Sequence, residues 1–242
     1  MKIGIVQTRP IIGDIQGNIA NHKQWIEWAA ADEAELIIFP ELSLTGYEPT
    51  VAKVLATDQD DPRFDDLQAL SDANGITIGV GVPTNNKQGI CITMLLFQPH
   101  KARRVYSKGY LHPDEEAFFV PGQSFPHLQV EQTHVALAIC YEISVPEHLE
   151  SALKSGPGMY VANVAKFVNG IGKAIERLSK VAADCAIPVL MSNCVGFADG
   201  GQCAGKTSAW NKRGALIGQL NDSDEGMLIF DTETQALIER VR

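Results

Sequence analysis

The sequence predicts an α/β protein, a four-layer α-β-β-α sandwich with helices on the outer faces of two stacked sheets. Three observations lead there. Apolar, β-rich runs alternate with stretches whose apolar residues recur at helical spacing. A strand, helix and hairpin sequence occurs twice, once before and once after residue 130. Each of these elements carries an apolar face that needs cover from a second layer. No linker, repeat or low-complexity tract divides the 242 residues, so residues 1–242 read as one domain.

"KIGIVQT" (2–8) and "ELIIFPE" (35–41) read as buried strands, and between them Ile19, His22, Ile26 and Ala30 mark a helix face. "RFDDLQALSDA" reads as the next helix. "GITIGVGVP" and "ICITMLLFQP" follow as strands about the turn-like "TNNKQG", and "ARRVYSKGYL" continues as strand. In the second half an apolar run ends at Cys140, and Pro146 and Gly156 mark the two ends of a helix. "GMYVANVA" is a strand, and Ile171, Ile175, Leu178, Ala182 and Cys185 share one face of a long helix. "PVLMSNCVG", "CAGKTSAW", "GALIGQL" and "GMLIFD" are short strands. The polar "TETQALIERVR" is expected to lie against a partner subunit.

Composition narrows the function classes. A hydrophobic fraction of 45% with 20% charged residues is that of a globular protein with a large core. The net charge of −9 argues against nucleic acid, whose phosphates need clustered Lys and Arg. No apolar stretch approaches the roughly 18 residues of a membrane span. "MKIGIVQTRP" lacks the apolar core and cleavage site of a signal peptide. The five cysteines have no dense spacing and read as reduced thiols, which suits the cytoplasm. No pair of Cys or His has the spacing of a structural zinc site, and no metal or cofactor is expected.

The closest formal motif is a decoy. "GGQCAGKT" (200–207) fits a phosphate-binding loop, but that loop must open a helix. "SAWNKRG" follows instead and turns within a few residues, so a β-hairpin is the better reading. "GVGVP" (79–83) and "GIGK" (170–173) complete no dinucleotide fingerprint.

Three residues take a common position. Glu41, Lys108 and Cys140 each stand at or just beyond the end of an apolar strand, the rim where open α/β sheets gather their sites. Taken singly, each has a plainer explanation: a turn cap, a solvated strand end, a core thiol. His134 and His148 flank Cys140 and leave a Cys-His pairing open.

"FPELSLTGYEP", "YSKGYLHPDEEAFFVPG" and "ALAICYEISVPE" resemble the three catalytic segments of the nitrilase superfamily of carbon–nitrogen hydrolases. The likeness runs from "KIGIVQTRP" to "CAGKTSAWNKRGALIG". It implies the α-β-β-α fold of that family, a Glu41-Lys108-Cys140 triad and a helper acid at Glu115, with the adjacent Glu116 as its rival. On this resemblance Cys140 attacks an amide carbonyl, Glu41 carries the proton, and Lys108 with the Tyr141 N–H steadies the oxyanion. The strand after the nucleophile departs from the family pattern. It reads "NVAKF", with Asn163 and Lys166 in or near the family's pattern positions, and the resemblance implies that both bind substrate. Lys166, where the family often has an aromatic at the pocket mouth, either meets an acidic substrate or is a solvated lysine.

The expected function is hydrolysis of a small amide or carbamoyl compound through a thioester, with ammonia or an amine released. A non-catalytic binding or regulatory protein on the same fold is the alternative, and an intact triad argues against it. A standalone glutaminase or nitrilase also stays open, whereas 242 residues leave no room for a fused synthetase. The resemblance also implies that the helix after Cys140 meets its twin across a two-fold axis, in a homodimer or higher homo-oligomer.

Overall fold

A computed structural model describes residues 1–124 and 127–242. The first half comprises β1 (Lys2–Gln7), α1 (Ile15–Ala31), β2 (Leu36–Ile38), α2 (Ala52–Leu55) and α3 (Asp65–Asn74). It continues with β3 (Thr77–Asn86), β4 (Gly89–Phe97) and β5 (Arg104–Ser107). The second half holds β6 (Leu128–Val130), β7 (Thr133–Ile139), α4 (Pro146–Leu153), β8 (Met159–Asn163), α5 (Ile171–Cys185) and β9 (Val189–Ser192). Six strands follow: β10 (Val195–Ala198), β11 (Gly201–Ala204), β12 (Ser208–Trp210), β13 (Leu216–Gln219), β14 (Gly226–Asp231) and β15 (Leu237–Val241).

Two sheets form the middle layers, ordered β15-β14-β1-β2-β3-β4-β5 and β13-β12-β9-β8-β7-β6. In each, three neighbouring strands run parallel: β1, β2 and β3 in the first, β7, β8 and β9 in the second. The pleat explains why these strands read as continuous apolar runs. Ile3, Ile5, Leu36, Ile38, Leu228 and Phe230 join the cluster between the sheets. Their neighbours Val6, Ile37, Met227 and Ile229 pack outward on Trp25, Ile26 and Leu67 of α1 and α3. On the other side Ala174, Leu178, Val181 and Ala182 seat α5. Both faces of both sheets are therefore covered, and the four-layer expectation holds.

Local chemistry sets the ends of the elements. Asp14 caps α1 by accepting the Gly17 N–H at 2.9 Å, a contact that typically contributes ~1 kcal/mol. "ELIIFPE" is strand only over Leu36–Ile38, because Pro40 and the turn after it leave the ladder. The strand before Lys108 likewise ends at Ser107. The phosphate-loop decoy resolves as expected: β10 and β11 form a hairpin, and β12 rather than a helix follows Thr207.

One strand was not foreseen, at residues 237–241. Leu237–Val241 pair with Gly226–Phe230 as an edge strand of the first sheet. Leu237 packs on the core, and Arg240 holds Asp32 at the end of α1 through both Nε and Nη2. Alternation of Leu237, Glu239 and Val241 with Ile238 and Arg240 was the available strand signal, and the charges masked it.

Candidate active site

Glu41 follows β2, Lys108 directly follows β5, and Cys140 directly follows β7. The shared strand-end position is real, but the single rim is not. Glu41 and Lys108 come from one sheet and Cys140 from the other, so the site lies where the two sheets meet. A backbone hydrogen bond from Glu41 N–H to the Val164 carbonyl, 3.4 Å, joins the two sides.

Two residues there hold a left-handed backbone that L side chains rarely adopt. Leu42, next to Glu41, has φ +51°, and Cys140 has φ +45°. Each such conformation typically costs ~1–3 kcal/mol and persists only where its surroundings impose it. Gly81 makes room for the first turn. A Cβ there would stand 2.2 Å from Leu42 N and 2.6 Å from Pro40 O. The "GVGVP" segment thus has its glycine for the close approach of the Glu41 loop. At Cys140 the elbow turns β7 into a short 3-10 helix, Cys140–Ser144, whose first amides, Tyr141 among them, have no acceptor within the helix. The thiol is not the exposed sulfur that an elbow suggests: Cys140 is only 8% exposed.

Lys108 is fully buried, and its Nζ donates to Glu41 Oε1 at 2.8 Å and Glu115 Oε1 at 2.7 Å. Burial alone would lower the ammonium's pKa. The charges of Glu41, Cys140 and Glu115 outweigh it and hold the pKa above its usual value, so Lys108 is a fixed cation. Burial pushes the Glu41 carboxyl up, against the pull of Lys108, and the Cys140 thiol is near enough to act on it as a donor. Glu41 Oε2 otherwise has no hydrogen-bond partner among the described residues. Burial and the Glu41 charge raise the Cys140 thiol to about 11, while Lys166 and Lys108 pull it down. The resting arrangement is therefore a neutral thiol beside a carboxylate that is more basic than usual.

Between the two candidate acids the geometry distinguishes sharply. Glu115 is buried and also accepts the Tyr47 hydroxyl at 2.8 Å and the His112 N–H at 2.8 Å, whereas Glu116 is exposed. Asn163 ends β8 in register with Ile139, is buried, and leaves its Oδ1 without a partner among the described residues. Lys166 is half-buried, with its N–H donating to Asn193 Oδ1 at 2.8 Å and its carbonyl accepting from Asn193 Nδ2 at 3.2 Å. Tyr141 is half-buried with its ring edge-on to His112. His148 is engaged with Tyr106 and Glu142, and His134 stacks on His127, away from a Cys-His pairing. Sequence reasoning passed over Tyr47, Glu142 and Asn193. Tyr47 and Glu142 lie inside the quoted motifs, in "TGYEP" and "CYE", but their partners are distant in the chain.

A lysine bonded to two buried carboxylates beside a cysteine on a strained elbow is an arrangement for acyl transfer to sulfur. The carbon-nitrogen hydrolase family model matches residues 2–240. The chain belongs to that family, within the nitrilase superfamily, and is a hydrolase of non-peptide C–N bonds. Among curated relatives, a protein of Pseudomonas protegens described as a hydrolase is 25% identical over 98% of this chain and 84% of its own length. An (R)-stereoselective amidase of a Pseudomonas species is 29% identical over 61% of this chain and 54% of its own. Among solved structures, a variant amidase from Nesterenkonia sp. AN1, with acrylamide added to its active-site cysteine, superposes with a TM-score of 0.86. It is 24% identical and covers 96% of this chain and 92% of that one.

Proposed function

We propose that the chain hydrolyses a small amide with Cys140 as nucleophile, Glu41 as proton carrier, and Lys108 with the Tyr141 N–H as oxyanion donors. The observation that carries this is the buried Lys108 ammonium bonded to both Glu41 and Glu115 beside Cys140. As the Sγ–C bond forms, the thiol proton passes to Glu41 and the carbonyl oxygen takes the negative charge. Each oxyanion donor typically contributes ~3 kcal/mol to such a step. Collapse breaks the C–N bond, and Glu41 gives its proton to the departing nitrogen. Water then attacks the thioester and gives a proton to Glu41, which passes it to sulfur as the C–S bond breaks and the acid is released. Glu115 holds Lys108 in register, and Tyr47 in turn holds Glu115.

A small substrate is favoured over a bulky one because only 8% of Cys140 is open to solvent, and an amide over a nitrile because of the amidase relatives. The test is ammonia release over ω-amides, N-carbamoyl compounds, glutamine and simple nitriles, with Cys140→Ala as control. Release from short amides that Cys140→Ala abolishes is the expected result. Release from nitriles alone would overturn the amide assignment, and turnover by Cys140→Ala would overturn the nucleophile.

A further inference from the structure

We infer that Glu142 is a positioning residue for this reaction, a buried carboxylate that ties the loop carrying Lys108 to the elbow carrying Cys140. The inference rests on the catalytic reading above and adds a residue that the triad and its helper acid leave out. Glu142 is fully buried two positions beyond Cys140. Its Oε1 accepts the Gly109 N–H at 2.7 Å, and its Oε2 accepts the Ile139 N–H at 2.8 Å. Gly109 immediately follows Lys108, and Ile139 immediately precedes Cys140. One carboxylate thus grips the peptide after the oxyanion-binding cation and the peptide before the nucleophile.

The rest of its surroundings serve the same end. The Tyr106 hydroxyl, with one proton to share, lies 3.0 Å from both Oε2 and the Leu137 carbonyl on β7. His148 Nε2 of α4 stands 3.4 Å from Oε2 and 2.8 Å from the Tyr106 hydroxyl. The Lys108 backbone is bonded within its own sheet region, its N–H to Ile92 O and its carbonyl from Gly122 N–H, both at 2.8 Å. Glu142 supplies the link from that loop across to the cysteine's sheet. Burial raises its carboxyl above the ordinary 4.5, and the two backbone donors pull against that rise. A carboxylate is required because the Gly109 and Ile139 amides both present donors to it. Glutamine, of nearly the same shape, turns an NH2 toward one of the two amides and sets donor against donor.

The experiment compares Glu142→Gln with the parent for kcat, KM, melting temperature and the rate at which iodoacetamide labels Cys140. Leu67→Ala, a core truncation beneath α3, serves as a comparator that destabilises without touching the site. Displacement of reacting groups by about 1 Å can cost ~100-fold, so kcat should fall by that order with KM within about threefold. Labelling should stay within about threefold of the parent, because alkylation of sulfur needs no oxyanion donor. A kcat within about threefold of the parent would overturn the inference. So would a loss that Leu67→Ala reproduces or that comes with faster labelling, since either marks a loosened fold. If Glu142→Gln does not fold, Glu142→Asp keeps the charge but is too short to grip both amides. It should lose kcat with labelling unchanged, and full activity in it would overturn the inference. Turnover by Cys140→Ala would instead sink the catalytic reading, so the two failures are told apart.

Discussion

Lys108 Nζ lies 2.8 Å from Glu41 Oε1, and both side chains have 0% exposure. A pair taken so completely out of water depends on its partner, since removal of one ion strands the other. Lys108→Met should abolish turnover and cost about 3–5 kcal/mol of stability at neutral pH. The pH dependence has a definite sign. Glu41 already sits above its ordinary 4.5, and Lys108 is what restrains it. Without Lys108 the folded-state pKa rises further, so the stability it contributes is present below 4.5 and lost as pH climbs through the raised value. The deficit of Lys108→Met against the parent should therefore shrink on acidification, measured by denaturant melts across the acid range. A deficit that grew toward low pH would contradict the buried pairing.

The thiol predicts an alkaline profile. Cys140 is raised from 9.0 to about 11, so its thiolate fraction should grow about tenfold per pH unit until near that value. Site-resolved labelling by mass spectrometry should show iodoacetamide reacting with Cys140 ever faster up to about pH 11. A plateau near pH 8 would mean a thiol activated at rest rather than one deprotonated by Glu41 during attack. The same shift makes folding slightly less favourable between 9.0 and about 11, because the unfolded chain releases this proton first.

Glu115→Gln should reduce kcat by roughly 100-fold, through loss of its grip on Lys108, while Glu116→Gln stays within about threefold of the parent. Steady-state kinetics on one amide decides between them. Equal losses would mean that Glu115 acts only as part of the turn that both residues share.

The sequence made the layered fold legible because buried parallel strands are near-continuous apolar runs. Ile3 to Val6 and Leu36 to Ile38 announce themselves in that way. Glu41, Lys108 and Cys140 were legible as charged or nucleophilic residues at the ends of such runs. That they come from two sheets was not, because layer assignment is set by long-range pairing. Glu142 and Tyr47 escaped for the same reason: each matters through a partner 33 or 68 positions away. The edge strand at 237–241 was hidden by Glu239 and Arg240, which face solvent and read as a polar tail.

The α4 and α5 surface should carry a two-fold contact. An open cleft of about 380 Å³ between them is lined by Leu149, Lys173, Glu176, Arg177, Val181 and Cys185. Leu149 and Val181 give it an apolar floor, and the lysine, arginine and glutamate allow a self-complementary rim. Light scattering at micromolar concentration should report a dimer, and Arg177→Glu should shift it toward monomer. A monomeric parent would refute the expectation.

Lys166 decides the last prediction. Asn193 pins its backbone at both the N–H and the carbonyl, and its charge acts on Cys140. An ammonium near enough to act on Cys140 favours substrates with a distal carboxylate, as a point charge rather than a bidentate clamp. Lys166→Met should raise KM for acidic amides about tenfold and leave KM for short neutral amides within about twofold, which is lost ground-state binding. The protein's net charge of −9 repels anions at long range, so capture of acidic amides by the parent should improve as salt screens the surface. The lysine's own contact is short and screened much less. If Lys166→Met weakened acidic and neutral amides alike, its ammonium would be serving the thiol rather than the substrate. If it changed neither, Lys166 would be a solvated lysine whose backbone alone matters to the loop.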